Sequence, residues 1–242
     1  MKPILFSIDM VQAILEGRKT VTRRVVKPQP KDGYLPTWRG NWDSVVGTKS
    51  AWVVKPPCQP GDILYVRETF AVHSCNDRLP PSIPCKKTAA GRDCYIYFAD
   101  GANGETPCGV WPSPHKWRPS IHMPREAARI FLRVTGVRVE RLQASFTEPI
   151  CPILELQAEG IDIGETCQEC IENYGEPCCV DTVDEDGTDE PECGVLDEVR
   201  DDFARLWDST IKPADRALYG WAANPWVWVI EFVRCAKPEV TP

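Results

Sequence analysis

Histidine and methionine are scarce in this chain, with three of each among 242 residues. His73, His115 and His122 are too scattered to form a histidine cluster for a catalytic metal. No apolar run is long enough to span a bilayer. The first fifteen residues are interrupted by Lys2, Asp9 and Gln12 and lack the unbroken apolar core of a secretory leader, so a cytoplasmic protein with no membrane partner is expected. There is no internal repeat. Strand-like segments do not alternate with crossover helices, which excludes a parallel, doubly wound α/β architecture.

What is present is unusual in three ways. The chain has nine Trp and 23 Pro, and the proline points to long ordered loops rather than many helices. It has twelve Cys, which without a leader suggest reduced thiols or a metal site rather than a disulfide scaffold. The net charge of −7 is divided unevenly. Residues 1–145 carry 22 Lys/Arg against 12 Asp/Glu, a net of +10, and residues 146–242 carry 6 against 23, a net of −17. An acidic total argues against nucleic-acid binding by the whole surface, whereas a basic half can still bind a polyanion locally. Two halves that simply attract each other would account for the same division.

Hydrophobic periodicity places the elements. Ser7 is an N-cap for a helix over 8–16, with Ile8, Val11, Ile14 and Leu15 at helical spacing and Gly17 ending it. The β-branched stretch 21–26 reads as a strand, with Thr22 and Arg24 on one face and Val21, Arg23 and Val25 on the other. Residues 27–61 read as a long loop, 63–67 as a strand, 73–93 as a loop, 94–98 as a strand and 99–120 as a loop again. A long strand is expected over 129–142 with a bulge at Gly136. A helix over 153–158 is closed by Gly160, and 164–194 is a Cys-rich, acidic excursion. Val195, Leu196, Val199, Phe203, Leu206 and Trp207 fit an amphipathic helix, and 226–233 is a strong closing strand, with Trp226 and Trp228 facing the core. The expected class is α+β, a small barrel or curved sheet with two or three flanking helices in one domain over 1–242. Insertions are expected at about 28–58, 74–93 and 164–194.

Gly17-Arg18-Lys19-Thr20-Val21-Thr22-Arg23-Arg24, followed by Pro60-Gly61-Asp62-Ile63-Leu64-Tyr65-Val66-Arg67-Glu68-Thr69 and the closing 226–232 strand, resembles the ASCH domain family of the PUA-like superfamily. The segments 117–124 and 203–209 resemble a branch common in phages and prophages. The resemblance implies a PUA-like barrel with a ligand cleft between barrel and helices, and a family thought to bind RNA. Some small bacterial members hydrolyse N4-acetylcytidine with a Lys, a Thr and a Glu. The matching residues here are Lys19, Thr22 and, at the end of the helix after the long strand, Glu159, although the helix sequence leading to it departs from the family's pattern.

Each motif has a chemistry and a plain structural alternative. A Thr hydroxyl attacks an amide only if a base takes its proton, and a Lys is a base only when burial or nearby cations lower its pKa. Arg18, Arg23 and Arg24 are suitable neighbours, and Glu159 can orient Lys19 or pass a proton to the leaving amine. The alternative is a surface pair and a solvated helix end. Arg18, Lys19, Arg23, Arg24 and Arg67 can contact phosphates, Glu68 can accept from an exocyclic amine, and loop Trp residues such as Trp117 can stack on a base. Any one Trp can equally be core. Cys167 and Cys170 have a C-x-x-C spacing, and Cys178, Cys179 or Cys193 can complete a structural zinc site that leaves no open position for water. The alternative is an insertion with free thiols.

Three functions follow from these features. The first is recognition of RNA or a modified nucleoside through a basic cleft. The second is an amidohydrolase for an acylated nucleoside, which requires no cofactor. The third is a phage-encoded module whose acidic insertion at 181–202 binds a host protein or mimics the charge of DNA.

Overall fold

The computed structural model describes residues 1–30, 36–38, 45–47, 56–72, 95–100, 117–144, 153–161, 163 and 194–238. In chain order its elements are β1 (Lys2–Leu5), α1 (Ile8–Leu15), β2 (Val21–Val25), β3 (Pro36–Trp38), β4 (Val45–Gly47), β5 (Ile63–Arg67), β6 (Phe70–Val72), β7 (Tyr95–Tyr97), β8 (Phe131–Arg141), α2 (Ile153–Ala158), α3 (Gly194–Thr210), α4 (Arg216–Tyr219) and β9 (Trp226–Cys235). The fold is α+β. Five strands form one mixed sheet in the order β1-β5-β8-β9-β2. β1 runs parallel to β5, while β5 with β8 and β2 with β9 are antiparallel. Among the described residues no ladder joins the end strands β1 and β2. Among those residues, too, no helix is long and apolar enough to cross a membrane.

The chain divides into two compact units, and β8 and β9 contribute residues to both. The first consists of Met1–Gly17, Pro60–Thr135 and Phe232–Pro242. Its helix α1 starts where Ser7 accepts the Met10 N–H at 3.4 Å, buries Val11, Ala13 and Ile14, and stops at Gly17, whose φ of 83° suits glycine. Strand β5 is apolar over three consecutive residues, Leu64, Tyr65 and Val66, and all three are buried. Phe70, Met123 and Phe131 pack with Tyr65 in this unit's core, and Tyr95 lies edge-on to Phe70 at 6.0 Å.

The second unit consists of Arg18–Gln59 and Gly136–Glu231. Helix α3 puts Val199, Phe203 and Trp207 on one face at four-residue spacing, and all three are buried against Leu156, Val227 and Val229. Burial of each such side chain stabilises by about 1.5–3 kcal/mol. The Trp207 indole N–H donates to the Tyr219 carbonyl at 2.8 Å. On β2, Val21 and Val25 pack on this core, and Arg23 lies between them on the same face, its guanidinium 5.9 Å from the Phe203 ring centre.

Several elements fall where the sequence places them: α1, β2, β5, α2 and β9 within two residues. The stretch 27–61 is not loop throughout, because β3 and β4 pair antiparallel from Pro36↔Gly47 to Trp38↔Val45. Three-residue strands are too short for alternation to reveal. The same limit hides β1, which contains Pro3, and β6. β8 runs unbroken through Gly136. A Cβ there would lie 2.5 Å from Glu231 Oε2, so this glycine admits a cross-strand carboxylate. The loops expected over 73–93 and most of 99–120, and the excursion 164–193, lie outside the described residues.

Candidate functional site

The candidate site is built where the segment before β2 meets the end of α2. The Thr20 N–H donates to the Ala158 carbonyl at 2.8 Å. Helix α2 closes in a Schellman motif: the Ile161 N–H donates to the Leu156 carbonyl at 3.1 Å, and the Gly160 N–H to that of Gln157 at 2.8 Å. Leu156 and Ile161 share one hydrophobic cluster, the apolar contact that accompanies such a cap. Gly160 has φ 86°, which only glycine adopts without strain. The motif fixes Glu159 at the helix end and leaves its carbonyl open to a donor. Gly160→Ala is expected to cost about 1–2 kcal/mol from the left-handed backbone alone. Thermal unfolding of the variant measures this loss.

Lys19 fills the open position. Its Nζ donates to the Glu159 carbonyl at 2.5 Å and to Glu159 Oε2 at 2.8 Å, and both side chains are almost fully buried. Arg23 holds the other carboxylate oxygen, with Nη1 to Glu159 Oε1 at 2.8 Å. Its Nη2 reaches Glu155 Oε2 at 2.6 Å and Glu140 Oε1 at 3.2 Å. Arg138 extends the network, pairing with Glu140 at 2.9 Å and with Glu231. Arg24 Nη1 donates to Thr22 Oγ1 at 2.7 Å and to the Arg23 carbonyl at 2.9 Å. Arg18 Nη1 donates to the Gly160 carbonyl at 3.4 Å.

The electrostatics follow from this enclosure. Burial pushes Lys19 below its ordinary value of 10.5; Glu159 opposes the shift, and the Arg24 and Arg23 charges reinforce it. Burial also works against the Arg23 charge, but Glu159, Glu140 and Glu155 outweigh it and hold Arg23 above its ordinary value. Arg24 is pushed down by burial, against the pull of Glu159 and Cys58. The arrangement therefore supplies a lysine with a lowered pKa, a carboxylate that holds it, and a hydroxyl in contact with a cation.

The structure brings Lys19, Thr22, Glu159, Arg18, Arg23 and Arg24 into this one unit. Arg67, Glu68 and Trp117 belong to the other. There Arg67 donates to the Ile121 carbonyl at 3.3 Å and the Tyr65 hydroxyl at 3.4 Å, and Trp117 packs edge-on to Phe98 at 4.8 Å. Glu68 is buried, and Arg129 Nε and Nη2 hold its two oxygens at 3.0 Å each. Burial raises the Glu68 pKa despite Arg129. Arg129→Ala removes the partner and raises it further, so the folded protein keeps a proton on Glu68 that the unfolded chain releases above 4.5. The variant's stability loss is therefore expected to be small below pH 4.5 and to grow as pH rises through the folded Glu68 value. Chemical denaturation at pH 4 and pH 7.5 reads the difference.

The sequence reading missed Glu140, Glu155 and Arg129. Glu155 carries a signal, because it stands four residues before Glu159 and therefore on the same helix face. Cys167, Cys170, Cys178, Cys179 and Cys193 lie outside the described residues, as do Trp42, Trp52 and Trp111. Among the described residues no group of three or more His, Cys, Asp or Glu is placed to hold a metal ion. No protein-family model, no curated protein and no solved structure matches this chain.

Proposed function

We propose that this protein is an amidohydrolase of the ASCH type, on a PUA-like barrel, acting on an acylated nucleoside such as N4-acetylcytidine. The observation that carries the reading is the buried Lys19–Glu159 pair, joined across 140 residues of chain, with Thr22 also buried three residues along from Lys19. The cationic side chains of the site are bonded to carboxylates, carbonyls and the Thr22 hydroxyl of their own unit. That suits a small neutral substrate better than a polyphosphate backbone.

In the proposed reaction, neutral Lys19 takes the Thr22 hydroxyl proton as Oγ1 bonds to the acyl carbon and the carbonyl electron pair moves onto oxygen. The tetrahedral species collapses, the carbon–nitrogen bond breaks, and Lys19 returns the proton to the leaving amine. An acyl ester on Thr22 remains. A water then gives a proton to Lys19 and adds to the same carbon, and collapse expels Thr22 Oγ1, which recovers its proton. The products are a carboxylic acid, which releases its proton to solvent, and the free exocyclic amine. Glu159 holds Lys19 in place.

The test is hydrolysis of N4-acetylcytidine by the pure protein beside Thr22→Ala, with product separated by chromatography. Turnover that disappears in a folded Thr22→Ala protein is the expected result. No turnover by the unaltered protein overturns the reading. In that case RNA affinity that falls steeply with salt would favour nucleic-acid recognition instead.

A further inference from the structure

Thr22 and Arg24 alternate with Arg23 on β2, so they share one face of the strand. A hydroxyl has one proton and two lone pairs. The Arg24 Nη1–H occupies one lone pair of Thr22 Oγ1 at 2.7 Å, so the Thr22 proton is directed at some other acceptor. Arg24 is itself anchored by its bond to the Arg23 carbonyl at 2.9 Å, which leaves little freedom to swing away. A guanidinium keeps its proton at neutral pH even when burial disfavours the charge. A fixed cation therefore touches the oxygen that, in the reaction above, must become an alkoxide and later leave as one. Arg24 also lies close enough to Lys19 for its charge to favour the neutral amine, the form that accepts the proton.

We propose that Arg24 is a catalytic residue of the hydrolysis: it donates to Thr22 Oγ1, orients the Thr22 proton toward the base, and offsets the negative charge on that oxygen as the proton leaves. This rests on the amidohydrolase reading above. Arg24 neither gains nor loses a proton. The proton passes between Thr22 and Lys19, and the electron pair of the broken O–H bond forms the new bond to carbon. Glu159 remains the partner that holds Lys19, and Arg24 acts on the nucleophile.

The experiment compares the full-length protein with Arg24→Ala, Arg24→Lys, Thr22→Ala and the double variant Thr22→Ala/Arg24→Ala, each checked for folding by circular dichroism. The expected loss in kcat for Arg24→Ala is about 10²–10³-fold, the usual effect of removing one preorganised donor, with KM nearly unchanged. Methylguanidinium in the buffer is expected to restore part of the Arg24→Ala rate, and Arg24→Lys to fall between the two. The double variant should be no slower than Thr22→Ala alone, because the two residues act as one unit. Unimpaired kcat in Arg24→Ala overturns the inference. So does a loss that appears mainly in KM, or one that methylguanidinium leaves unchanged in a folded variant. An unaltered protein without turnover overturns the functional reading itself, an outcome distinct from any of these.

Discussion

Lys19→Ala is expected to lower kcat for N4-acetylcytidine by about 10²–10⁴-fold, the usual contribution of a positioned general base. Lys19→Arg separates chemistry from packing. The guanidinium preserves a positive charge for Glu159 but does not deprotonate, so the variant should fold and remain inactive. The pH dependence has a definite sign. The reacting form of Lys19 is the neutral amine, so kcat/KM rises as pH rises through the Lys19 pKa. Burial, aided by Arg24 and Arg23, places that ascending limb below lysine's ordinary 10.5. Folding stability shares the direction: between the folded Lys19 value and 10.5 the unfolded chain binds more protons, so stability increases with pH across that window. A rate profile that rises only at or above 10.5 would contradict the assignment of Lys19 as base.

Arg23→Ala is expected to destabilise the second unit. The Arg23 side chain is 2% exposed and bonds Glu159, Glu155 and Glu140, which come from α2 and its cap and from β8. Removing it takes one of two cations from the buried Glu159 and from Glu140, which keep Lys19 and Arg138, and costs about 1.5–3 kcal/mol. For a chain of this length that lowers Tm by about 3–12 °C. Arg23→Lys recovers little, because one ammonium does not reproduce a planar fork that reaches three carboxylates. Thermal melts followed by tryptophan fluorescence at pH 7.5 check both statements. Arg23→Ala melting within about 2 °C of the unaltered protein at pH 7.5 would contradict the clamp.

The two variants divide the work of adjacent residues on one strand. Arg23 points at the hydrophobic core and is expected to register in stability. Arg24 and Thr22 point the other way and are expected to register in rate. Alternation along β2 makes this division, and the alternation was legible in the sequence, because Val21, Arg23 and Val25 share a parity.

Other features were legible for equally local reasons. Gly160 after an apolar helical repeat announced the end of α2, and the Schellman motif is how that end is made. Ser7 and Gly17 marked both ends of α1. The position of Glu159 came only through the family resemblance, since nothing in the spacing links residue 159 to residue 19. The link is a tertiary contact between a helix cap and the segment before a strand, separated by 140 residues. Glu140 was hidden for the same reason, because its partner Arg23 is 117 residues away. Charge alone reads the arginines as phosphate contacts. Their carboxylate partners became visible only when the fold placed Glu140 and Glu155 against them.

The most direct test of the central claim, that burial makes Lys19 a base, is its titration by carbon-13 NMR of protein labelled at the lysine ε-carbon. The Lys19 resonance is assigned by its disappearance in Lys19→Arg. The account predicts that this resonance titrates below 10.5 in the unaltered protein and moves upward in Arg24→Ala, where a repelling charge has been removed. A Lys19 resonance that titrates at or above 10.5 would mean that Glu159 holds the ammonium as a structural ion pair, and the hydrolytic mechanism would fall with it.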